Sequence, residues 1–233
     1  NAVQNTLTIT LFSLIFYFPA TIGLALLTNS VLSSKVRLAI QSVVYLPHFF
    51  SWVLVVSIFQ LMLGGAGLIS QLLISNGHSG LSITTSGDTF ILLVTSQAIW
   101  KDAGWGMIVF LAALAAVNPS LYEAAALDGA GRWRRLWHVT LPAIRPVIVL
   151  LLVLRLGDAL TVGFEQMFLQ RDAVGADASE VLDTFVYFTG VRYGDWSYAA
   201  AAGLVKGVVS VALVLLANKV AHLFGGDGVF RPG

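Results

Sequence analysis

The 233 residues contain no cysteine, which excludes disulfides, thiolate metal sites and a cysteine nucleophile. Charge is scarce: 11% of residues are Asp, Glu, Lys or Arg, against roughly 25% in a soluble domain. Too little polar surface exists to face water on all sides. Four histidines are spread along the chain without cysteines, so no metal site is expected. No G-x-x-x-x-G-K-[ST] segment occurs, so any nucleotide chemistry must belong to another chain. No Ser-His-Asp arrangement is supported by spacing, and Ser and Thr in apolar runs are expected to bond backbone carbonyls. Neither a cofactor nor a nucleic-acid partner is expected. A signal-peptide pattern and an initiator Met are also absent. The chain opens at Asn1 almost directly in an apolar run, and we read it as the covered part of a longer protein with a further span upstream.

What is there is hydrophobic: 57% of the residues, with a mean hydropathy of +0.84. Five runs reach the ~20 residues that a helix needs to span a bilayer. They lie at about 6–27, 38–63, 90–117, 143–169 and 199–224. None shows period-2 alternation, which favours helices over a β-barrel. Pro19 is expected to kink the first span. The third, interrupted by Lys101 and Asp102, is long enough to hold a bend there. The expected fold class is all-α, a polytopic membrane protein with one transmembrane domain over 1–233. It has five spans here and six with one upstream.

Basic residues in short loops set the orientation. Lys35 and Arg37 follow span one, Arg132, Arg134 and Arg135 precede span four, and Lys219 and Arg231 lie at the end of span five. With alternating spans all three clusters share one side, the cytoplasmic one. The opposite loops are the Gly/Ser/Thr-rich stretch 64–89 and the net acidic stretch 170–198, which carries Asp172, Asp177, Glu180, Asp183 and Asp195.

Between spans three and four lies Glu123 to Pro142, reading EAAALDGAGRWRRLWHVTLP. Asn118 is a good N-cap and Pro119 suits a first helical turn. Glu123 sits where the helix dipole favours a carboxylate. Leu121, Ala124, Ala125 and Leu127 offer a small, apolar surface that a groove on a partner could take. Gly129 and Gly131 break this helix. Trp133, Leu136, Trp137 and Val139 suit a second, short helix lying at the membrane interface, with Pro142 and Pro146 opening the next span.

This pattern closely resembles the EAA loop of the membrane-spanning subunits of ATP-binding-cassette importers. The match rests on Glu123, Ala124, Ala125, Asp128, Gly129, Gly131, Leu141 and Pro142 within the cytoplasmic loop 118–142. Further stretches resemble sugar permeases of that family: Tyr45 to Trp52, Val162 to Gln166, and Asp183 to Tyr187. The resemblance implies a type I importer permease fold in the plasma membrane of a prokaryote. It implies ABC ATPase subunits docked on the loop, a second permease subunit (a paralogue) and an external solute-binding protein. The chain itself would be no enzyme, and the cargo an oligosaccharide or other glycoside. The contrasting hypothesis is an ATPase-independent, ion-coupled carrier or channel using Arg155, Asp158 and Lys206 as a charge relay. An intramembrane enzyme would need a catalytic cluster at one depth, and none stands out.

Polar residues within the spans are the candidate substrate path: Trp100, Asp102, Asp158, Glu165 and Gln166. On a continuous helix Arg155, Asp158, Glu165 and Gln166 fall within an arc of roughly 100°. Arg155 and Asp158 could form a structural ion pair, or the stripe could hydrogen-bond a sugar. Trp100 and Trp105, beside Asp102, could hold a sugar ring. Alternatively they anchor at the interface while Lys101 snorkels to headgroups. Lys206 is expected to pair with Asp158 or Asp102. His48 reads as a satisfied core histidine.

Overall fold

In the computed structural model, which describes residues 1–223, every regular element is a helix. Phe224 and Arg231, the ends of the fifth span and of its basic tail, lie outside the described residues. By length and composition five segments could cross a bilayer: Ala2–Asn29, Trp52–Ser75, Gly87–Ala115, Arg132–Gly157 and Trp196–His222.

The first is α1 (Ala2–Asn29), continuous through Pro19. Proline cannot donate to the carbonyl four residues back, and its ring crowds that carbonyl. Here the turn ahead of it widens into a π turn at Ser13–Tyr17, and the Phe18 N–H reaches back five residues to the Ser13 carbonyl. The same device serves α7 (Arg132–Gly157). A π turn at Leu136–Thr140 precedes Pro142, and the Leu141 N–H donates to the Leu136 carbonyl. So Trp133 to Val139 are no separate interfacial helix. They are the first turns of the helix that carries Pro142 and Pro146.

The expected second span is split. α2 (Ser34–Tyr45) ends in a 3₁₀ turn at Leu46–Phe49 around Pro47. α3 (Trp52–Leu63) restarts where the Ser51 hydroxyl caps the Leu54 N–H at 3.3 Å. The chain turns at Gly64, and a short α4 (Leu68–Ser75) follows. Together α2 and α3 run antiparallel to α5 (Gly87–Ala115). Val44 lies against Gly104, His48 against Lys101, Phe59 against Trp100, and Gly64 near Thr84 just ahead of α5. α5 itself is unbroken at Trp100–Asp102, where its length left room for a bend, because Lys101 and Asp102 find partners without leaving the helix.

The expected fourth span is discontinuous. α7 stops at Gly157, residues 158–163 are unwound, and α8 (Phe164–Val174) starts after Gly163, whose φ of +55° lies in the left-handed region. The Thr10 hydroxyl donates to the Ala159 carbonyl, satisfying one group that the break frees. Beyond α8, the segment expected as an outer loop is largely helical. It comprises α9 (Ala176–Ser179), then α10 (Leu182–Tyr187) running into a π turn at Phe188–Arg192. α11 (Trp196–Leu223) closes the described chain.

Two apolar cores sit at opposite ends. One joins Ile9, Phe90, Val94, Met167 and Val181, and the other Ala25, Met107, Phe110, Leu114 and Ile144. Near the first, the Asn5 amide donates to the carbonyls of Asp177 and Glu180, and Arg171 pairs with Glu180 at 3.2 Å. Near the second, Arg37 donates to the Val31 carbonyl after α1, and Asn29, Arg132 and Arg135 border one cleft. The acidic and basic loops expected on opposite sides therefore lie at opposite ends of the molecule.

Candidate functional site

Two places gather the residues singled out from sequence. The first is α6 (Pro119–Leu127), projecting from the basic end between α5 and α7. Asn118 caps it, its side-chain oxygen accepting from the Ser120 N–H at 3.0 Å. The chain leaves it through Gly129 at φ +72°, and the Ala130 N–H bonds back to the Ala125 carbonyl at 2.9 Å. Gly131, by contrast, is extended and caps the start of α7. No residue of α6 is buried. The helix is held by the Tyr122 hydroxyl against Thr140 at 3.2 Å, while Leu121 faces Ala143 and Val147 across a small cavity. Glu123, Ala124, Asp128 and Gly129 are exposed, Leu127 is 91% exposed, and Tyr122 and Ala125 are half-buried. Leu141 and Pro142 lie on α7, just past its π turn, not on the projecting helix. A cleft of about 510 Å³ opens beside the root, lined by Leu26, Ser30, Tyr122, Arg132, Trp133 and Arg135.

The second place is a cavity of about 230 Å³ between the two cores, where α1, α5, the end of α7 and the break at 158–163 meet. Asp102, Arg155, Asp158 and Gln166 all line it, with Thr10, Ser13 and Trp52. Along α5, its lining residues Val94 and Asp102 lie about 10 and 22 Å from the outer start of that helix, at 1.5 Å per residue. Charged groups at such depth need partners or a wet cavity. The Asp102 carboxylate takes both: His48 Nδ1 lies 2.8 Å away and Lys101 Nζ 3.6 Å away. His48 in turn stacks on Trp105 at 4.6 Å and 4°. Lys101 does not snorkel. It is 7% exposed, donates to the His48 carbonyl at 2.6 Å and lies over the Trp52 ring.

Arg155 and Asp158 form no ion pair, although Asp158 caps the helix and its N–H still donates to the Leu154 carbonyl at 3.3 Å. Arg155 sits over the ring of Tyr17 at 5.2 Å. Gln166 is buried in an amide cluster that the sequence did not reveal. It donates to Gln97 Oε1 at 2.8 Å and to the Val94 carbonyl at 2.9 Å. Gln97 and Gln170 exchange reciprocal bonds of 3.0 and 3.1 Å. The i, i+4 spacing of Gln166 and Gln170 was a readable signal; the convergence of Gln97 was not.

Two sequence candidates fall elsewhere. Glu165 is exposed on the far side of α8. Trp100 packs against Phe50 and Phe59, away from the cavity. Lys206 pairs with Asp183, not with Asp158 or Asp102. α11 follows α10 and lies against it, so the near carboxylate wins, and the relay of Arg155, Asp158 and Lys206 is not assembled. A larger outer groove of about 700 Å³, with Phe164, Tyr187 and Trp196 in its wall, borders the charged cavity at Thr161 and Gly163.

The model of a family described as "Binding-protein-dependent transport system inner membrane component" matches residues 18–224. The chain is 44% identical over 229 residues to the polygalacturonan/rhamnogalacturonan transport system permease protein YteP of Bacillus subtilis (strain 168), covering 98% of this chain and 71% of that one. Protein LplB of the same organism is also 44% identical, with 98% and 72% covered. Among solved structures, a chain of a bacterial alginate ABC transporter, in complex with an alginate pentasaccharide-bound periplasmic protein, superposes with a TM-score of 0.93. It is 40% identical, with 98% of this chain and 80% of that chain covered.

Proposed function

The chain belongs to the family of binding-protein-dependent transport system inner membrane components, and from that premise we propose how it works as a permease subunit of a glycan importer. It is a multi-span subunit in the cytoplasmic membrane of a prokaryote, acting with an external solute-binding protein. The cargo is an oligosaccharide or other glycoside, as the names of its relatives indicate. ATP hydrolysis belongs to separate ATPase subunits, and a second, paralogous permease completes the pore.

The observation that carries the coupling reading is α6: a helix with no buried residue, projecting at the basic end directly between α5 and α7. A cleft on an ATPase can grip such a helix on most of its faces. Glu123, Ala124, Ala125, Asp128 and Gly129 form the gripped part. Gly131, Leu141 and Pro142 transmit its movement into α7. Because α5 carries Asp102 and α7 carries Arg155, moving α6 moves two walls of the charged cavity. ATP then shifts the pore between inward and outward openings to the extent that the ATPases bind the two states unequally.

The test is mass spectrometry of what copurifies with the full-length protein from its native membrane in mild detergent, together with transport by coupling variants. An ATPase subunit and a second permease in near-stoichiometric amounts are expected. Glu123→Arg and Gly129→Val should reach the membrane at normal levels and lose transport. Purification without any ATPase, or wild-type transport by both variants, overturns the coupling assignment.

A further inference from the structure

We propose that the cleft beside α6 binds the phosphate of an anionic phospholipid, with Arg132 and Arg135 as its cationic ligands. This rests on the importer reading above, which makes the basic end cytoplasmic and the lipid one of the inner leaflet. The cleft, of about 510 Å³, lies where the end of α1, the end of α5, Tyr122 of α6 and the first turns of α7 meet. Its walls differ in character. Leu26, Leu27 and Leu136 form an apolar side, and Leu27 is exposed, so that side opens toward the membrane. Arg132 and Arg135 stand on the polar side, with the Tyr122 and Thr140 hydroxyls already bonded to each other. Among the described residues no carboxylate lines the cleft, Glu123 and Asp128 of α6 included, and neither arginine has a carboxylate partner. Arg135 Nε is buried without a hydrogen-bond acceptor. A buried donor of this kind is costly to leave unmet, and a phosphate oxygen meets it with a charge-assisted bond.

The height of the cleft fits a lipid. Trp133 and Trp137, four residues apart on α7, are both exposed. Exposed tryptophans at the end of a span settle at headgroup level, with the ring in apolar surroundings and its N–H in water. Trp133 itself lines the cleft, so the two arginines stand level with lipid phosphates. α7 begins there, and Gly131 offers no side chain to cap its first N–H groups, unlike Asn118 of α6. Those groups and the helix dipole add to the attraction for an anion. At the far edge Arg37 donates to the carbonyls of Asn29 and Val31, and Asn29 is part of the wall. A zwitterionic headgroup brings a cation of its own, which these arginines repel. The cleft therefore selects a headgroup of net negative charge, as basic pockets between spans on the cytoplasmic side do. A lipid held there joins the end of α1 to the roots of α6 and α7.

The test takes the importer purified with its ATPases and second permease into mixed micelles carrying equal parts phosphatidylcholine and phosphatidylglycerol, and reads retained lipid by native mass spectrometry. Wild type should retain phosphatidylglycerol in preference. The double variant Arg132→Gln/Arg135→Gln should weaken that retention about tenfold, as the loss of charge-assisted contacts implies. Arg132→Lys/Arg135→Lys should fall between, since it keeps the charge and loses the fork. Arg134→Gln removes an exposed arginine of the same turn that does not line the cleft, and should retain the lipid as wild type does. Excess inorganic phosphate should leave the lipid in place. Equal retention of the two lipids by wild type overturns the site. So does an equal loss in Arg134→Gln and the double variant, which would show a diffuse surface charge. Displacement by inorganic phosphate gives the cleft to a soluble anion, and retention that vanishes once the ATPases bind gives it to the ATPase; either overturns the lipid. The wild-type comparison and Arg134→Gln stand on their own should the double variant fail to assemble. Purification without any ATPase overturns the importer reading, and the lipid preference is then read on the permease alone.

Discussion

Where Gln97, Gln166 and Gln170 converge, three amides satisfy one another at a depth where water is not freely available. Gln97 is 1% exposed and is the hub: its oxygen accepts from both partners and its nitrogen donates to Gln170. A buried polar group stripped of its partner costs about 1–3 kcal/mol. Gln97→Leu should therefore lower the Tm in detergent by several degrees, because about 1 kcal/mol moves Tm by roughly 2–4 °C at this chain length. An unchanged Tm would show that the amides re-pair among themselves or with water. The Lys206–Asp183 pair carries a similar lesson in reverse. Sequence reasoning placed Lys206 correctly as a cation needing a partner, and chose the wrong carboxylate because the partner came from α10, a helix it had read as loop.

α2 and α5 approach one another closely at Gly104. A Cβ on Gly104 would stand 2.1 Å from the Val44 carbonyl oxygen, inside any tolerable contact. Gly104→Ala should force α2 away from α5 and lower stability by about 1–3 kcal/mol, the usual cost of overpacking. Gly207, in the middle of α11, meets nothing within 4 Å. Gly207→Ala should be neutral or raise stability by about 0.5–1 kcal/mol, since alanine orders a helix at lower entropic cost. Thermal unfolding of the two variants side by side checks the contrast, and equal effects would contradict the packing of α2 on α5. The helices themselves were legible wherever an apolar run was continuous, as in α1 and α11. Their interruptions were not. Pro19 and Pro142 stay inside helices because each is preceded by a π turn. The real break at 158–163 contains no proline, and the Thr10 hydroxyl of α1 satisfies the Ala159 carbonyl within it.

For the molecule as a whole, segregated charge and lipid-facing surface agree. The acidic segment 170–198 and the basic clusters lie at opposite ends, and among the described residues of α11 only Ala199, Asn218 and Ala221 are buried. The absence of cysteine makes the orientation directly testable. Leu72→Cys on α4 should react with a membrane-impermeant maleimide added outside intact cells, and Arg134→Cys on α7 only after permeabilisation. The reverse pattern would invert the topology and place α6 out of reach of any cytoplasmic ATPase. The sequence by itself determined the solvent, the helical class, the segregation of acidic and basic loops and the exposed segment around Glu123. Each of these depends on composition or on neighbours a few residues apart. Only the tertiary structure decided that Asp102, Arg155, Asp158 and Gln166 share one cavity, that Glu165 and Trp100 do not, and that Arg155 rests on the ring of Tyr17 and not against Asp158. Those facts depend on contacts between elements 50 to 150 residues apart, and on a helix break set by a neighbouring helix, which no local pattern encodes.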